Sequence, residues 1–465
     1  MIRLFRVFVP ASVVALLVSE FILIYVCYMV AAFFVFRVDP QVFLVDDNGW
    51  LRIAAVVVCL IVAIYFHDLY THFRVRSRVL LYQQVGVVVG TAFLIQSLLA
   101  YGKLRALILP IWLMIGGSAL TMVSLPAWRI FYGRFVLKML ASERVLFLGV
   151  SPVIEEIMRY LAEHPETGLA TVGYVDDGPD AAAGVRDSPR LGSILELRQV
   201  VAHWKPQRIV VGLSERRQRL PVNELLEMRL SGIHIEDALS TYEATFGRIS
   251  TRELRPSQLI FSSTGFGPNP RRVMLQSLYS TAIAVLATVL TAPIMLLAAI
   301  LVKLSSPGPA LFRQERVGKE DRIFTLYKFR SMYANAEASS GAVWATPDDP
   351  RVTPVGKWLR KLRLDELPQL FNVLRGDMSI VGPRPERPEF VKELTDRIPY
   401  YRQRHCVKPG ITGWAQINHT YGGTIEDTIV KLEYNLYYIK NLAPALDAFI
   451  MFHTAKVMLL SRGAQ

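Results

Sequence analysis

The sequence predicts a chain of mixed class, membrane α plus α/β: an N-terminal four-helix transmembrane region, a Rossmann-like parallel-sheet domain, and a mainly helical C-terminal domain behind a further membrane helix. Three observations carry that prediction. Four apolar stretches open the chain, an alternation of β-branched runs and helical spacing follows from Glu143, and a fifth apolar stretch precedes a segment rich in proline, glycine and arginine. Apolar residues make up 52% of the 465 residues, high for a soluble protein, and the length exceeds that of one ordinary domain.

The apolar stretches lie at about 8–36, 52–68, 79–100 and 106–127, each near the ~20 residues that cross hydrocarbon as a helix. MIRLFR before the first is basic, DPQVFLVDDNG after it is acidic, and HDLYTHFRVRSR after the second is basic. The third connection, YGKLR, is short, and WRIFYGRFVLK after the fourth is basic. Basic flanks stay on the cytoplasmic side, so residues 1–130 read as four crossings with both ends in the cytoplasm. The apolar run behind the basic start is too long for a signal-peptide core and has no small-residue cleavage site, so it reads as a retained anchor. Lys plus Arg exceed Asp plus Glu by 52 to 39, a formal +13, which suits anionic lipid, phosphorylated substrates or nucleic acid. Cys27 and Cys59 sit in apolar runs and Cys406 stands alone, which supports neither a disulfide framework nor a zinc site.

Between 143 and 245, RVLFLGV, ATVGYVDD and PQRIVVGL alternate with helical segments, the pattern of a parallel sheet. The first turn reads GVSPVIEE, with Ser151 and Pro152 where a dinucleotide fingerprint has glycines. Asp176 and Asp177 follow the second strand, where a ribose-binding acid would sit, yet the incomplete turn favours a non-binding or regulatory domain. Residues 246–270 form a linker.

The fifth stretch, 273–304, is long enough to cross, but Arg271 and Arg272 guard one end and Lys303 the other. Pro293 lies inside it, where the missing N–H favours a kink. A kinked helix that enters one leaflet and returns would keep both basic ends on one face; a plain crossing would not.

The residues from 305 to 465 hold the chemistry. Thr353 followed by Pro354 reads as a helix start, and a second start is expected at Asp365, with Gly376 as its stop. A carboxylate at a helix N-terminus stays ionised, and the same place draws phosphate. An ionised Asp365 beside Glu366 and several cations suits nucleophilic attack on phosphorus or magnesium coordination. Arg363, Arg384 and Arg387, with Lys328 and Arg330, could neutralise a diphosphate. Taken alone, the pair reads more readily as structure, with Asp365 an N-cap and Glu366 a first-turn dipole partner. KWLRKLR equally reads as a basic stripe facing solvent or lipid, and His405 as structural.

KFRSM, RLDELPQL, GDMSIVGPRPE and PGITGWAQI, in this order behind an apolar stretch and SPGPALFRQERVG, resemble the bacterial sugar transferases, the monotopic phosphoglycosyl transferases. The resemblance covers about 271–465. The preceding four helices and parallel-sheet domain are similar to the long-form members that begin exopolysaccharide or O-antigen assembly. It implies transfer of a sugar 1-phosphate from a UDP-sugar to undecaprenyl phosphate, releasing UMP, with Mg2+, at the bacterial inner membrane with the catalytic and Rossmann-like domains cytoplasmic. It places the family's dyad on Asp365 and Glu366 as catalytic and metal-binding residues. The family's basic KFR falls on Lys328 and Arg330 and its PRP arginine on Arg384; with Arg363, Glu386 and Arg387 beside them, these are the expected substrate-binding residues. The break of a re-entrant helix at 271–304 falls on Ala292 and Pro293, where the family usually has Ser-Pro. Arg271 and Arg272 would meet lipid headgroups, so membrane lipids rather than nucleic acid take up the basic excess, and the long form admits a homodimer. Two other classes compete. A membrane oxidoreductase would need a complete glycine fingerprint, and a nucleotide-sensing scaffold or chain-length regulator of polysaccharide export would not need the Asp, Glu and Arg motif.

Overall fold

The structure, a computed structural model, describes residues 2–4, 6–36, 39–70, 78–102, 107–137, 143–177, 188–212, 220–260, 266–333, 349–419 and 424–459. Parts of the second and third connections (71–77 and 103–106) and the loop segment 261–265 lie outside the described residues.

Four helices form the first unit: α1 (Ala11–Val35), α2 (Gly49–Phe66), α3 (Arg78–Tyr101) and α4 (Ile111–Phe131), the last extended by a π-helical turn to Val136. All four are long and apolar enough to cross a membrane. They share one core, in which Leu16, Ile24, Tyr28, Ile53 and Leu113 are buried. Inside it lies an ion pair. Arg129 donates through Nε to Glu20 Oε1 at 2.6 Å and through Nη1 to the Leu69 carbonyl at 2.9 Å, and the Tyr70 hydroxyl donates to Glu20 Oε2 at 2.8 Å. Both charges are fully covered, and such a pair is tolerated in an apolar bundle because each group is matched. The basic start forms an unexpected hairpin, β1 (Ile2–Leu4) with β2 (Val7–Val9).

The parallel sheet of the second unit is ordered β5 (Arg190–Gly192), β4 (Leu169–Val175), β3 (Glu143–Leu148), β6 (Arg208–Val211), β7 (His234–Asp237). The first strand is central, the doubly wound arrangement. Strand alternation explains its two faces: Val145 and Phe147 pack beneath α5 (Pro152–Glu163), while Leu146 and Leu148 pack against α6 (Leu197–Trp204) and α7 (Val222–Leu230). A last helix, α8 (Ala238–Phe246), closes the first face.

The fifth apolar helix, α9 (Pro270–Ser305), runs without interruption through Pro293 for 36 residues, about 54 Å at 1.5 Å per residue. Its flank is apolar and exposed over most of its length, at Leu278, Leu286, Val289, Leu290, Leu296 and Leu304. Both halves nevertheless rest on the C-terminal region: Ala284 joins the core of Val381, Leu432 and Leu446, and Met295, Ala298 and Val302 pack on Phe329 and Leu359.

That region combines an antiparallel hairpin, β8 (Leu311–Val317) with β9 (Ile323–Phe329), and a two-stranded parallel ladder, β10 (Ser379–Val381) with β11 (Gly410–Thr412). Around them stand α10 (Pro354–Lys361), α11 (Gln369–Arg375), α12 (Pro388–Arg397), α13 (Ile425–Asn441) and α14 (Pro444–Leu459). Thr353 caps α10, accepting from Gly356 N at 2.9 Å with Pro354 at the first helical position, and Gly376 ends α11 in the left-handed conformation. The glycines of VGPRPE and PGITG allow a close approach: a Cβ on Gly410 would lie 2.1 Å from Gly382 N, and one on Gly413 2.2 Å from Gly382 O.

The three units touch at one end of the bundle. Ser12, at the start of α1, donates to the Glu166 carbonyl at 2.7 Å, and Tyr132, at the end of α4, donates to the Ser12 carbonyl at 2.7 Å. Lys456 of α14 donates to the Tyr65 carbonyl at 2.8 Å and pairs with Asp68 just past α2. The hairpin β1–β2 is stitched to α13, where the Tyr437 hydroxyl meets the Arg6 carbonyl at 2.6 Å.

Candidate active site

The site forms where α10 gives way to α11. Arg363 takes a left-handed conformation (φ 53°), donates to the Arg360 carbonyl at 3.0 Å and stops α10. The chain then makes a short 3-10 turn, Leu364–Glu366, before α11 begins at Gln369. Asp365 therefore lies inside the turn and makes no N-cap bond, which corrects the expected helix start at that residue. Helical hydrogen bonding resumes only beyond Pro368, which has no N–H to offer.

The turn is fixed from two sides. Asn372 of α11, fully buried, donates to the Thr325 carbonyl at 2.7 Å and accepts from Tyr327 N at 3.1 Å, locking the helix to strand β9. β9 in turn brings Lys328 over the dyad. Beyond β10, Gly382 and Pro383 lead to Arg384. Lys328 Nζ and Arg384 Nη2 both reach Glu366 Oε1, at 3.2 and 2.8 Å. Asp365, 8% exposed, accepts no hydrogen bond among the described residues.

Electrostatics separates the two acids. Burial pushes the Asp365 carboxyl above its ordinary range; the Lys328 charge opposes this, Glu366 adds to it, and Arg360 and Arg384 oppose it further. Burial also opposes ionisation of Glu366, but Arg384 and Lys328 outweigh it and hold that carboxyl far below the usual carboxylate range. Burial lowers Lys328, with Glu366 pulling the other way. Glu366 is thus a fixed anion clamped between cations, and Asp365 is a buried carboxyl that accepts no hydrogen bond among the described residues.

Not every residue singled out in the sequence reaches this pair. Lys328, Asp365, Glu366 and Arg384 come together, and the Arg363 charge helps hold Glu366 ionised. Arg330 does not join them: it is buried under the end of α9 and bonded to backbone there. Glu386 faces Arg316 at 3.7 Å, and Arg387 lies over Phe390 and approaches Glu389 on its own helix. Arg271 and Arg272 stand at the start of α9, where Arg272 donates to the Leu442 carbonyl at 3.3 Å.

Three arginines were missed as parts of this site. Arg360, whose charge bears on Asp365, was legible only as one member of KWLRKLR; it donates to Ser331 Oγ at 3.0 Å. Arg316, within FRQERVG, donates to the Pro385 carbonyl at 3.0 Å. Arg404 donates to the Arg384 carbonyl at 2.5 Å and to the Tyr401 hydroxyl at 2.6 Å, and so braces the loop that carries Arg384. Its neighbour His405 is structural, pairing with Asp321 at 2.6 Å, while burial lowers its pKa to about 4.

The sheet unit treats its own turn differently. Val150 N donates to Asp176 Oδ2 at 3.0 Å, Val153 N to Glu253 Oε1 at 3.4 Å, and Ile154 N to Ser151 Oγ at 3.3 Å. Donors that would face a pyrophosphate in a dinucleotide site are taken by the chain's own side chains.

Fold and site together define a membrane protein whose cation-lined carboxylate pair sits against an apolar helix with exposed flanks. The chain belongs to the bacterial sugar transferase family, which it matches over residues 271–461. It is 47% identical over 223 residues to a UDP-N-acetylgalactosamine-undecaprenyl-phosphate N-acetylgalactosaminephosphotransferase of Aeromonas hydrophila, covering 48% of this chain and 52% of that one. It is 35% identical over 328 residues to a UDP-glucose:undecaprenyl-phosphate glucose-1-phosphate transferase of Xanthomonas campestris pv. campestris, covering 67% and 66%. A Klebsiella pneumoniae protein of the same description is 33% identical over 329 residues, covering 70% and 69%. The chain thus spans about half the length of the first relative and about two thirds of the other two.

Proposed function

We propose that this protein transfers a hexose 1-phosphate from a UDP-sugar to undecaprenyl phosphate, releasing UMP, through a covalent intermediate on Asp365. The observation that carries this reading is Asp365 itself: a buried carboxyl that accepts no hydrogen bond among the described residues, held beside a second carboxylate that two cations clamp. A structural acid would have found a partner. The activities of the three relatives, all undecaprenyl-phosphate sugar phosphotransferases, supply the substrate class.

In the first half-reaction a carboxylate oxygen of Asp365 attacks the β-phosphorus of the UDP-sugar. The bond from that phosphorus to the bridging oxygen breaks, UMP leaves with the electron pair, and an acyl-phosphate remains. Lys328, Arg384 and Arg360 offset charge on the phosphoryl oxygens. In the second, an oxygen of undecaprenyl phosphate attacks the same phosphorus, forms the diphosphate and frees the Asp365 carboxylate. Glu366 orients Lys328 and Arg384 throughout. The adjacent carboxylates fit Mg2+, which takes one or two carboxylates plus substrate phosphates, and among the described residues no cluster of three or more His, Cys, Asp or Glu offers an all-protein cage. Mg2+ held by Asp365 and Glu366 would supply charge neutralisation at the diphosphate.

The seating of α9 supports a re-entrant reading, since both of its halves pack on one C-terminal domain while the exposed flank is apolar. A helix that enters and leaves one face keeps the site on the cytoplasmic side, where nucleotide sugars are found, and places Arg271 and Arg272 at headgroup level. The same placement suits the first membrane step of exopolysaccharide or O-antigen assembly at the inner membrane. The test is a UMP burst. Purified protein given a panel of UDP-sugars without lipid acceptor should release about one UMP per active site with one of them and carry the sugar phosphate on Asp365. Release that strictly requires the acceptor would overturn the covalent mechanism.

A further inference from the structure

Each half of α9 is bonded to the strand that leads to one of the two cations on Glu366. In the first half, Gln276 Nε2 donates to the Val381 carbonyl at 3.3 Å and to Asp447 Oδ2 at 2.8 Å, and Ser280 Oγ meets Ser379 Oγ at 2.9 Å. The contacts to Val381 and Ser379 fall on β10, the strand that runs through Gly382 and Pro383 into Arg384, while Asp447 lies on α14. At the other end, Arg330 reaches back from just past β9, two residues beyond Lys328. Its Nη2 meets the Val302 carbonyl inside α9 at 3.5 Å and, at the residue that follows the helix, donates to the Ser306 carbonyl at 2.7 Å and to Ser306 Oγ at 3.0 Å, while its Nη1 donates to the Pro307 carbonyl at 2.9 Å. The Arg330 amide also donates to the Ala310 carbonyl at 2.9 Å.

Arg330 is 6% exposed, so this guanidinium has exchanged water for the open carbonyls where the helix ends. A side chain so engaged cannot also grip a diphosphate without breaking those bonds. Arg330 directly follows β9, and its amide bond to Ala310 ties it to the hairpin, so a shift of the helix end is passed to Lys328 two residues back.

We infer that α9 is a bracket whose two ends set the positions of Arg384 and Lys328 about Glu366, and that Arg330 is a positioning residue of that bracket rather than a ligand of the substrate diphosphate. The inference rests on the proposed transfer reaction and deepens it: the membrane helix sets the geometry of the phosphate site as well as anchoring it.

The test uses the full chain in lipid nanodiscs, with UDP-sugar varied at saturating undecaprenyl phosphate. Arg330→Gln should lower kcat by about tenfold or more, the scale of a small misplacement of catalytic groups, with KM for the UDP-sugar changing less than about twofold. Arg330→Lys should recover part of the loss. Ser306→Ala, which removes one hydroxyl acceptor, should lower the same parameter by less. A KM raised tenfold with kcat kept would make Arg330 a substrate ligand and overturn the inference. Should Arg330→Gln fail to fold, Ser306→Ala and Ser280→Ala decide: lowered kcat at constant KM supports the bracket, and wild-type kinetics in both overturns it. Wild-type protein that releases no UMP from any UDP-sugar would instead sink the transfer reaction itself.

Discussion

Two turns in this chain lead into helices beside acidic side chains, and they treat those acids in opposite ways. After β3, Asp176 and Glu253 each accept a backbone N–H, and Ser151 caps the helix. After α10, Asp365 accepts nothing among the described residues, and Glu366 is held by side-chain cations instead of backbone. In the first turn the backbone donors Val150 N, Val153 N and Ile154 N are taken by the chain's own side chains. The second keeps a buried carboxyl unmatched, which costs stability and so calls for a chemical reason. Acid residues alone do not distinguish the turns; what bonds to them does.

The largest effect that could break this contrast is on Asp365. Asp365→Asn should lower UMP release by about 10^4-fold or more, the scale seen when a nucleophile is removed. It should also raise Tm at neutral pH. Burial lifts the folded-state pKa of Asp365 above its unfolded value, so its contribution to stability is present at low pH and is lost as pH rises through the folded value. Above that point the ionised group works against the fold, and the amide removes the charge. Asp176→Asn should do neither. A scan of transfer rate and Tm for both variants checks the pair, and an Asp365→Asn protein that is less stable and still active would reverse the assignment.

Next come the neighbours that tune Asp365. Lys328→Met removes the strongest charge opposing its raised pKa, so the acid limb of kcat/KM should move to higher pH. Glu366→Gln removes an anion that raises it and releases two cations, so the limb should move to lower pH. Each should also lower the rate by roughly 10^2-fold, the scale of one lost electrostatic contact to a transition state. Limbs that move together in both variants would mean that Asp365 does not set them.

A smaller effect concerns packing beneath the site. Gly410→Ala would place a Cβ 2.1 Å from Gly382 N, where backbone must move. The expected loss is about 2–3 kcal/mol of stability, measured by denaturant unfolding of the full chain in detergent. Gly133, which has open space, should tolerate alanine.

Much of this was legible beforehand. The apolar spans, the alternation behind the parallel sheet, the Thr353–Pro354 start and the Gly376 stop are local signals, and each formed where its pattern placed it. What escaped depends on residues far apart in the chain. Glu20 and Arg129 are single charges in separate apolar helices and meaningless until those helices pack. The β1–β2 hairpin has three-residue strands, too short to show a period. Arg330 lies inside a motif that reads as phosphate-binding, but the end of α9 claims it, and only folding reveals that competition. Arg404 acts through the Arg384 carbonyl, 20 residues back, with no local spacing to mark it.

The smallest effect tests the quiet side of the comparison. Glu253 reaches the start of α5 at 3.4 Å, a long bond, from the segment in which Thr251 N donates to Glu433 Oε1 at 3.0 Å and the Leu254 carbonyl accepts from the Tyr400 hydroxyl at 2.8 Å. If the turn after β3 is only a joint, Glu253→Ala should cost about 0.5 kcal/mol, the low end for a helix-start contact, and leave transfer within about twofold of wild type. A dinucleotide such as NAD, which the proposed transfer reaction does not use, should give no thermal shift in wild type or variant. Should Glu253→Ala gain a dinucleotide-dependent Tm increase, or lose transfer tenfold, the linker would be carrying a signal from the sheet to α13. The two turns would then differ in occupancy rather than in kind.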